Sequence, residues 1–177
     1  MTDESKIAKP AMLERYSYVI VSLLLICVEI IRIRIGDWGG DFWEHAAAIN
    51  ELSKHPIHPS HPMLNIDLTH VFFSPYSLLL AIFSKVFGLS IILTLEVFAY
   101  INLLLLLSGF YYFCRMIFVI HYRYIASIAL IFSLFFWGSS PFLWSGFYHI
   151  FVLNYVLPYP SSFSLALSFF ILALLAK

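Results

Sequence analysis

The chain has 177 residues and a formal net charge of zero; 62% of its residues are hydrophobic, 19% aromatic and only 11% charged. Soluble domains run at about 45–50% apolar and about 25% charged, so this composition excludes an ordinary soluble globule and reads as an integral membrane protein. The balanced charge excludes a nucleic-acid partner, which calls for a basic stripe or patch. Cys27 and Cys114 lie in or beside apolar segments and read as small buried residues.

In chain order, residues 1–16 form a polar tail of mixed charge. The apolar run 17–35 is long enough, at about 1.5 Å per residue, to cross a hydrocarbon core of roughly 30 Å. Glu29, Arg32 and Arg34 follow its centre with no small-residue cleavage pattern, so it reads as an uncleaved anchor. Glu29 and Arg32 stand three apart on a helix, placed either to pair or to snorkel separately to the interface. Residues 36–70 are polar and hold five of the ten acidic residues and five of the seven histidines. A second span is expected at 71–87, a tight turn at Gly88-Leu89-Ser90, and a third span at 91–113. Glu96 lies inside that third span, where an ionisable residue is costly and is either functional or matched by a structural partner.

Residues 114–123 form a short loop with Arg115, His121 and Arg123, and 124–137 form an apolar helix of about 21 Å. Gly and Pro residues break up 138–160, where Trp144 and the tyrosines suit a membrane interface. Irregular backbone at membrane depth needs protein or a water-filled cavity around it, so this segment reads as re-entrant or cavity-lining. A last helix, 161–177, is capped by Ser161 or Ser162. The fold class is therefore an all-α polytopic membrane protein of roughly five transmembrane or re-entrant helices with one extracytoplasmic loop. Lys6, Lys9 and Arg15 favour a cytoplasmic N-terminus in the cell's cytoplasmic (inner) membrane, which puts 36–70 outside. Arg115 and Arg123 then fall outside as well, against the charge rule.

The loop carries the polar chemistry. Asp41 opens a run of strong helix formers, with Glu44 three residues on, as in a capping box. A helix starting there lies at the interface with Asp41, Glu44, His45 and Ala48 on one face. Phe42, Trp43, Ala46 and Ile49 cover much of the rest. The polar face suits a general base, a cation site or a phosphate-facing histidine; equally, the two acids merely cap the helix and answer its dipole. His55-Pro56, His58-Pro59 and His61-Pro62 repeat at intervals of three, which predicts an extended, polyproline-like strap with its imidazoles on one face about 9 Å apart. Zinc–ligand bonds of about 2 Å do not fit that spacing, so a metal site at His61, Asp67 and His70 requires residues 55–70 to fold back on themselves.

An anchor helix, an Asp-bearing extracytoplasmic loop with a surface helix, and a string of aromatic-rich spans together resemble the N-terminal part of the GT-C-fold glycosyltransferases. The protein mannosyltransferase and lipid-A aminoarabinose transferase groups are the nearest comparison. The resemblance implies a multi-pass transferase that moves a sugar from a polyprenyl-phosphate donor to an extracytoplasmic acceptor. It implies an acid of the first loop as catalytic base, which falls on Asp41 with Glu44 as the second acid, although the family's two acids are adjacent and these are not. Lipid-phosphate recognition would fall to Arg32, Arg34, Lys54, His45, His58, His61 and His70. No cofactor is required by the resemblance; a divalent cation serves some members and not others. Family members carry further spans, so the chain reads as an N-terminal fragment that is inactive alone.

The rival reading is a non-catalytic membrane subunit or transporter component, with Glu29, Glu96 and 138–160 lining a solute or proton path. No internal repeat relates 17–87 to 91–177, which weighs against a transporter. A histidine-rich metal-binding loop on a membrane anchor ranks third.

Overall fold

The computed structural model describes residues 12–64, 66–118, 124–136 and 148–176, with side chains from residue 16 onward in the first helix. The N-terminal tail with Lys6 and Lys9, the His121–Arg123 stretch and the part of the broken segment containing Trp144 lie outside the described residues. All regular structure among the described residues is helical: α1 (Met12–Arg34), α2 (Phe42–Lys54), α3 (Pro75–Phe87), α4 (Ile91–Ile117), α5 (Ile125–Phe135), α6 (Leu153–Val156) and α7 (Pro160–Leu175).

Two of these, α1 over Tyr16–Arg34 and α4, are long and apolar enough to cross a membrane. The segment expected as a second span contains only the 13 residues of α3, about 20 Å of helix. Pro75 starts this helix late, Ser74 caps it by accepting from Ser77 N, and Gly88 ends it in the left-handed conformation at φ 64°. Glycine is required there because a side chain in that region carries steric strain. Ser90 then caps α4 by accepting from Leu93 N. At the other end of the chain, Tyr159 and not a serine precedes α7, and Pro160 occupies its first turn.

Helices α1 and α4 are antiparallel. Near the start of α1, Tyr18 donates to Leu107 O at 2.7 Å. At its end, Arg34 reaches Glu96 at 3.9 Å, which gives that acid a structural partner. Helix α5 runs alongside α1 in the same direction: the Ser17 and Ser127 hydroxyls meet at 2.7 Å, and Leu134 O accepts from Ile150 N at the Arg32 end. Helix α7 runs parallel to α4, with Gly109 against Ala166 and Phe110 against Phe169. Cys114 is buried, whereas Cys27 faces outward.

The core has two parts. Leu25, Leu103, Leu107, Leu130 and Leu157 belong to the one built from α1, α4, α5 and α7. Phe42, Ile49, Leu80, Leu95 and Phe98 belong to the other, where α2 packs on α3 and the start of α4. Buried Asn102 joins them by donating to Tyr76 Oη and Leu157 O, both at 2.7 Å.

A Cβ added at Gly109 would sit 2.8 Å from the Ala166 carbonyl oxygen and about as close to the Phe170 ring. Gly109→Ala is therefore expected to part α4 from α7 and destabilise the fold by about 1–3 kcal/mol, the usual scale of overpacking. A thermal melt in detergent checks this; an unchanged midpoint would show that the two helices do not pack this closely.

Candidate functional site

At the end of α1, Arg32 has its guanidinium held on three sides. Its Nε and Nη2 donate to Asp37 Oδ2 at 3.3 and 3.1 Å, Nη1 donates to Ile150 O at 2.6 Å, and Nη2 donates to Phe151 O at 2.8 Å. Glu29, fully buried one turn earlier, is 3.7 Å from Nη1. Asp37 is held in turn by Asn154 Nδ2, which donates to its backbone carbonyl and, at 3.3 Å, to Oδ2, and by Tyr155 Oη at 3.2 Å. Gly39 follows, with Tyr159 Oη donating to its carbonyl at 3.2 Å and the Tyr155 ring where a Cβ would stand. Arg32 and Asp37 thus tie the α1 end to residues 150–159.

This knot delivers the chain to Asp41 and α2. Asp41 is the N-cap residue, but its side chain makes no capping bond, so the capping box does not form. Among the described residues, no ion pair or side-chain hydrogen bond engages Asp41 or Glu44. The shared polar face is not observed either. His45 and Ala48 are buried with Phe42, Ala46, Ile49 and Leu52, while Trp43 is exposed. The reason is that α2 lays its apolar face on α3 and α4, where the sequence pattern suggested lipid. His45 is stacked between Phe72 at 4.1 Å and Tyr159 at 4.2 Å. Burial there pushes its pKa down to about 4, against the opposing pull of Asp41 and with a smaller push from His70. Burial, with the Asp41 and Glu44 carboxylates adding to it, holds the Tyr159 phenol well above its ordinary value.

Asp41 and His70 therefore lie within electrostatic reach of His45, and Asp41 and Glu44 within reach of Tyr159, which stacks on His45. The remaining residues expected at a phosphate are distributed elsewhere. Arg32 is committed to the knot, and Arg34, largely exposed, pairs with Glu96. Lys54 ends α2, about 20 Å of helix from Asp41. His58 is exposed on the strap.

The strap does not run straight. His61 N donates to Ile66 O at 3.1 Å, and the His61 and His70 rings meet edge to face at 4.7 Å. His61 Nδ1 accepts from Leu64 N at 3.1 Å, and His70 Nδ1 from Phe72 N at 3.4 Å. Each Nδ1 is thereby taken up by the backbone, leaving Nε2 as the ring nitrogen of each histidine not bonded to the chain. Asp67 does not complete a metal site: among the described residues, no group of three His, Cys, Asp or Glu side chains is placed to hold an ion.

Asp37 was not singled out by sequence reasoning. The available signal was an acid closely following a helix that ends in two arginines. A roughly 270 Å³ cavity, lined by Leu25, Leu106, Phe110, Leu134, Tyr148 and Phe169 among others, lies inside the α1–α4–α5–α7 half. None of its lining residues belongs to the 36–70 loop.

Compared with protein families, curated proteins and solved structures, the chain shows no significant match to any.

Two outcomes follow from this geometry. Arg32 is half-buried and the Asp37 side chain is 37% exposed, so solvent screens part of the pair and Asp37→Ala is expected to cost about 1 kcal/mol, with Arg32→Ala adding less than its single effect on top; a double-mutant cycle of denaturation midpoints measures the coupling. For His45, the folded pKa lies below the unfolded one, so the unfolded chain binds the extra proton. Stability is then full above about pH 6.5 and falls as pH drops toward 4, by a few kcal/mol. His45→Phe should flatten that slope while keeping the ring stack, and a slope that persists in this variant would assign the effect to another group.

Proposed function

We propose that this chain is a membrane protein whose 36–70 loop carries the acceptor side of a GT-C-like glycosyltransferase, moving a sugar from a polyprenyl-phosphate donor to an extracytoplasmic hydroxyl. The single observation that carries this reading is the division of labour between two neighbouring acids. Asp37 spends its carboxylate on Arg32, Asn154 and Tyr155, whereas Asp41 is exposed with its oxygens uncommitted. A general base must have a free lone pair and access to solvent-borne substrate, and Asp41 has both. Glu44, one turn along, is the second acid. Trp43, exposed beside them, supplies flat aromatic surface of the kind that sugar C–H faces pack on.

Asp41 would accept the acceptor hydroxyl's proton as the oxygen attacks the anomeric carbon, and the lipid phosphate would leave with the glycosidic electron pair. The charge on that phosphate needs hydrogen-bond donors. His70, whose Nδ1 is taken up by Phe72 N, would serve this role through its Nε2 side. Arg32 serves indirectly, by fixing the chain on which Asp41 stands. The two long apolar helices support placement in a bilayer; a cytoplasmic N-terminus with the loop outside is the orientation that Lys6, Lys9 and Arg15 favour by charge.

The second reading, a non-catalytic subunit or transporter component, is favoured by Glu29: it is wholly buried in α1 and neither oxygen has a hydrogen-bond partner among the described residues. The two readings separate experimentally. In native membranes supplied with a labelled polyprenyl-phosphate hexose, Asp41→Asn is expected to lower sugar transfer at least about 100-fold, the low end for a general base. Glu29→Gln should leave transfer within a few-fold if its role is structural. Intact transfer in Asp41→Asn would remove the base assignment, and loss of function confined to Glu29→Gln would favour the transport reading.

A further inference from the structure

The strap between α2 and α3 breaks the usual rule for polar loops. Ile57 and Val71 are 81% and 84% exposed, and Met63, Leu64, Ile66 and Leu68 are exposed as well. Six large apolar side chains thus face outward between Ile57 and Val71, where the described backbone is irregular. A monomeric water-facing loop does not carry so much unburied apolar surface, so something other than water meets it. The backbone turns explain how the side chains are displayed. Pro56, Pro59 and Pro62 keep the chain out of helix, and the His61–Ile66 turn throws Met63 and Leu64 to its tip.

We propose that this strap is an interfacial membrane anchor, in which the apolar side chains of residues 57–71 enter the headgroup–acyl boundary of the bilayer. The inference rests on the reading that α1 and α4 cross a membrane. Three observations select lipid as the occupant. The strap leads directly into α3, whose Leu79, Ile82 and Val86 form one exposed apolar stripe at helical spacing, so the strap extends an apolar surface already turned outward. Trp43, 64% exposed on the adjoining α2, is the residue type that settles at the membrane–water boundary. Lys54, His55 and His58 stand exposed where the strap begins and suit lipid phosphates. The anchor also replaces α2 as the element in contact with lipid, because the apolar face of α2 is already spent on α3 and α4. Its consequence for the site is positional: His61 and His70, which meet across the strap, would be held at the headgroup level where a lipid phosphate sits.

The test uses the whole chain with Cys27 and Cys114 replaced by serine, reconstituted into phosphatidylcholine–phosphatidylglycerol vesicles. Single cysteines at 57, 68 and 71 carry an environment-sensitive fluorophore, and a fourth at Leu24, exposed in the middle of α1, reports on the span. Lipids brominated near the top of the acyl chain are expected to quench the three strap positions by about half, as for a segment lying in the interface. Position 24 should respond to bromines placed deep in the bilayer. Strap labels that are quenched by aqueous iodide and ignored by brominated lipid, with position 24 still responding, would overturn the anchor and leave the spanning reading intact. Strap labels shielded from both quenchers would mean that protein covers the strap, which also overturns it. Silence at position 24 would overturn the spanning reading and the anchor with it. Labels at Met63 or Leu64 stand in for any position that does not reconstitute.

Discussion

The structure depends first on one guanidinium. Arg32 lies in the last turn of an apolar helix, at the point where residues 148–159, with only the single short turn of α6 between irregular stretches, turn back toward α7. The carbonyls of Ile150 and Phe151 would be left without donors there, and a planar cation with five N–H groups satisfies both while still binding Asp37. A lysine offers a point charge and three donors in no fixed fork, so it would hold two carbonyls and a carboxylate with less defined geometry. Asp37 passes the constraint on through Asn154 and Tyr155, and Gly39 passes it to Tyr159. The start of α2 is thereby set by a chain of polar contacts that begins in α1, and this is the physical reason why the carboxylate of Asp41 is left with no structural work.

The second constraint is close packing around α4. Gly109 lets the α7 backbone approach, and Asn102 binds α3 and the end of α6 through a single amide. Small residues and shared polar groups are how helices associate where the surrounding medium is itself apolar. Because α4 is clasped in this way, α3 need not cross anything. It shelters α2 and ends after 13 residues at a glycine.

Much of this was legible in the sequence, and the limits were physical. The long helices, the Gly88–Ser90 turn and the polar loop follow from apolar run length and from capping residues, which act locally. What α2 would face could not be read locally, because a helix bearing Phe42, Ala46 and Ile49 looks the same whether that face meets lipid or another helix. The same ambiguity hid His45, whose position among charged neighbours suggested a polar face and whose actual surroundings are Phe72 and Tyr159. The His-Pro repeat overstated straightness: proline fixes its own φ and disfavours helix before it, but the turn from His61 to Ile66 depends on a hydrogen bond five residues away. Asp37 was passed over because nothing in its spacing distinguishes an acid that pairs with the end of α1 from one that does not.

The arrangement of the loop follows from these constraints. Of its acids, the one nearest α1 is consumed in fixing the backbone, and Glu51 binds Ser60 N and holds the start of the strap to α2. Asp67 is exposed on the strap, and Asp41 and Glu44 remain at the start of a helix that cannot move without opening the second core. On the proposed reading of Asp41 as a general base, a carboxylate positioned by a rigid element and free of local partners suits proton abstraction, since a standing ion pair would have to be broken in each turnover. The buried, neutral imidazole of His45 fits the same logic: stacked between two rings, it brings no positive charge up against Asp41 at neutral pH and leaves that carboxylate available.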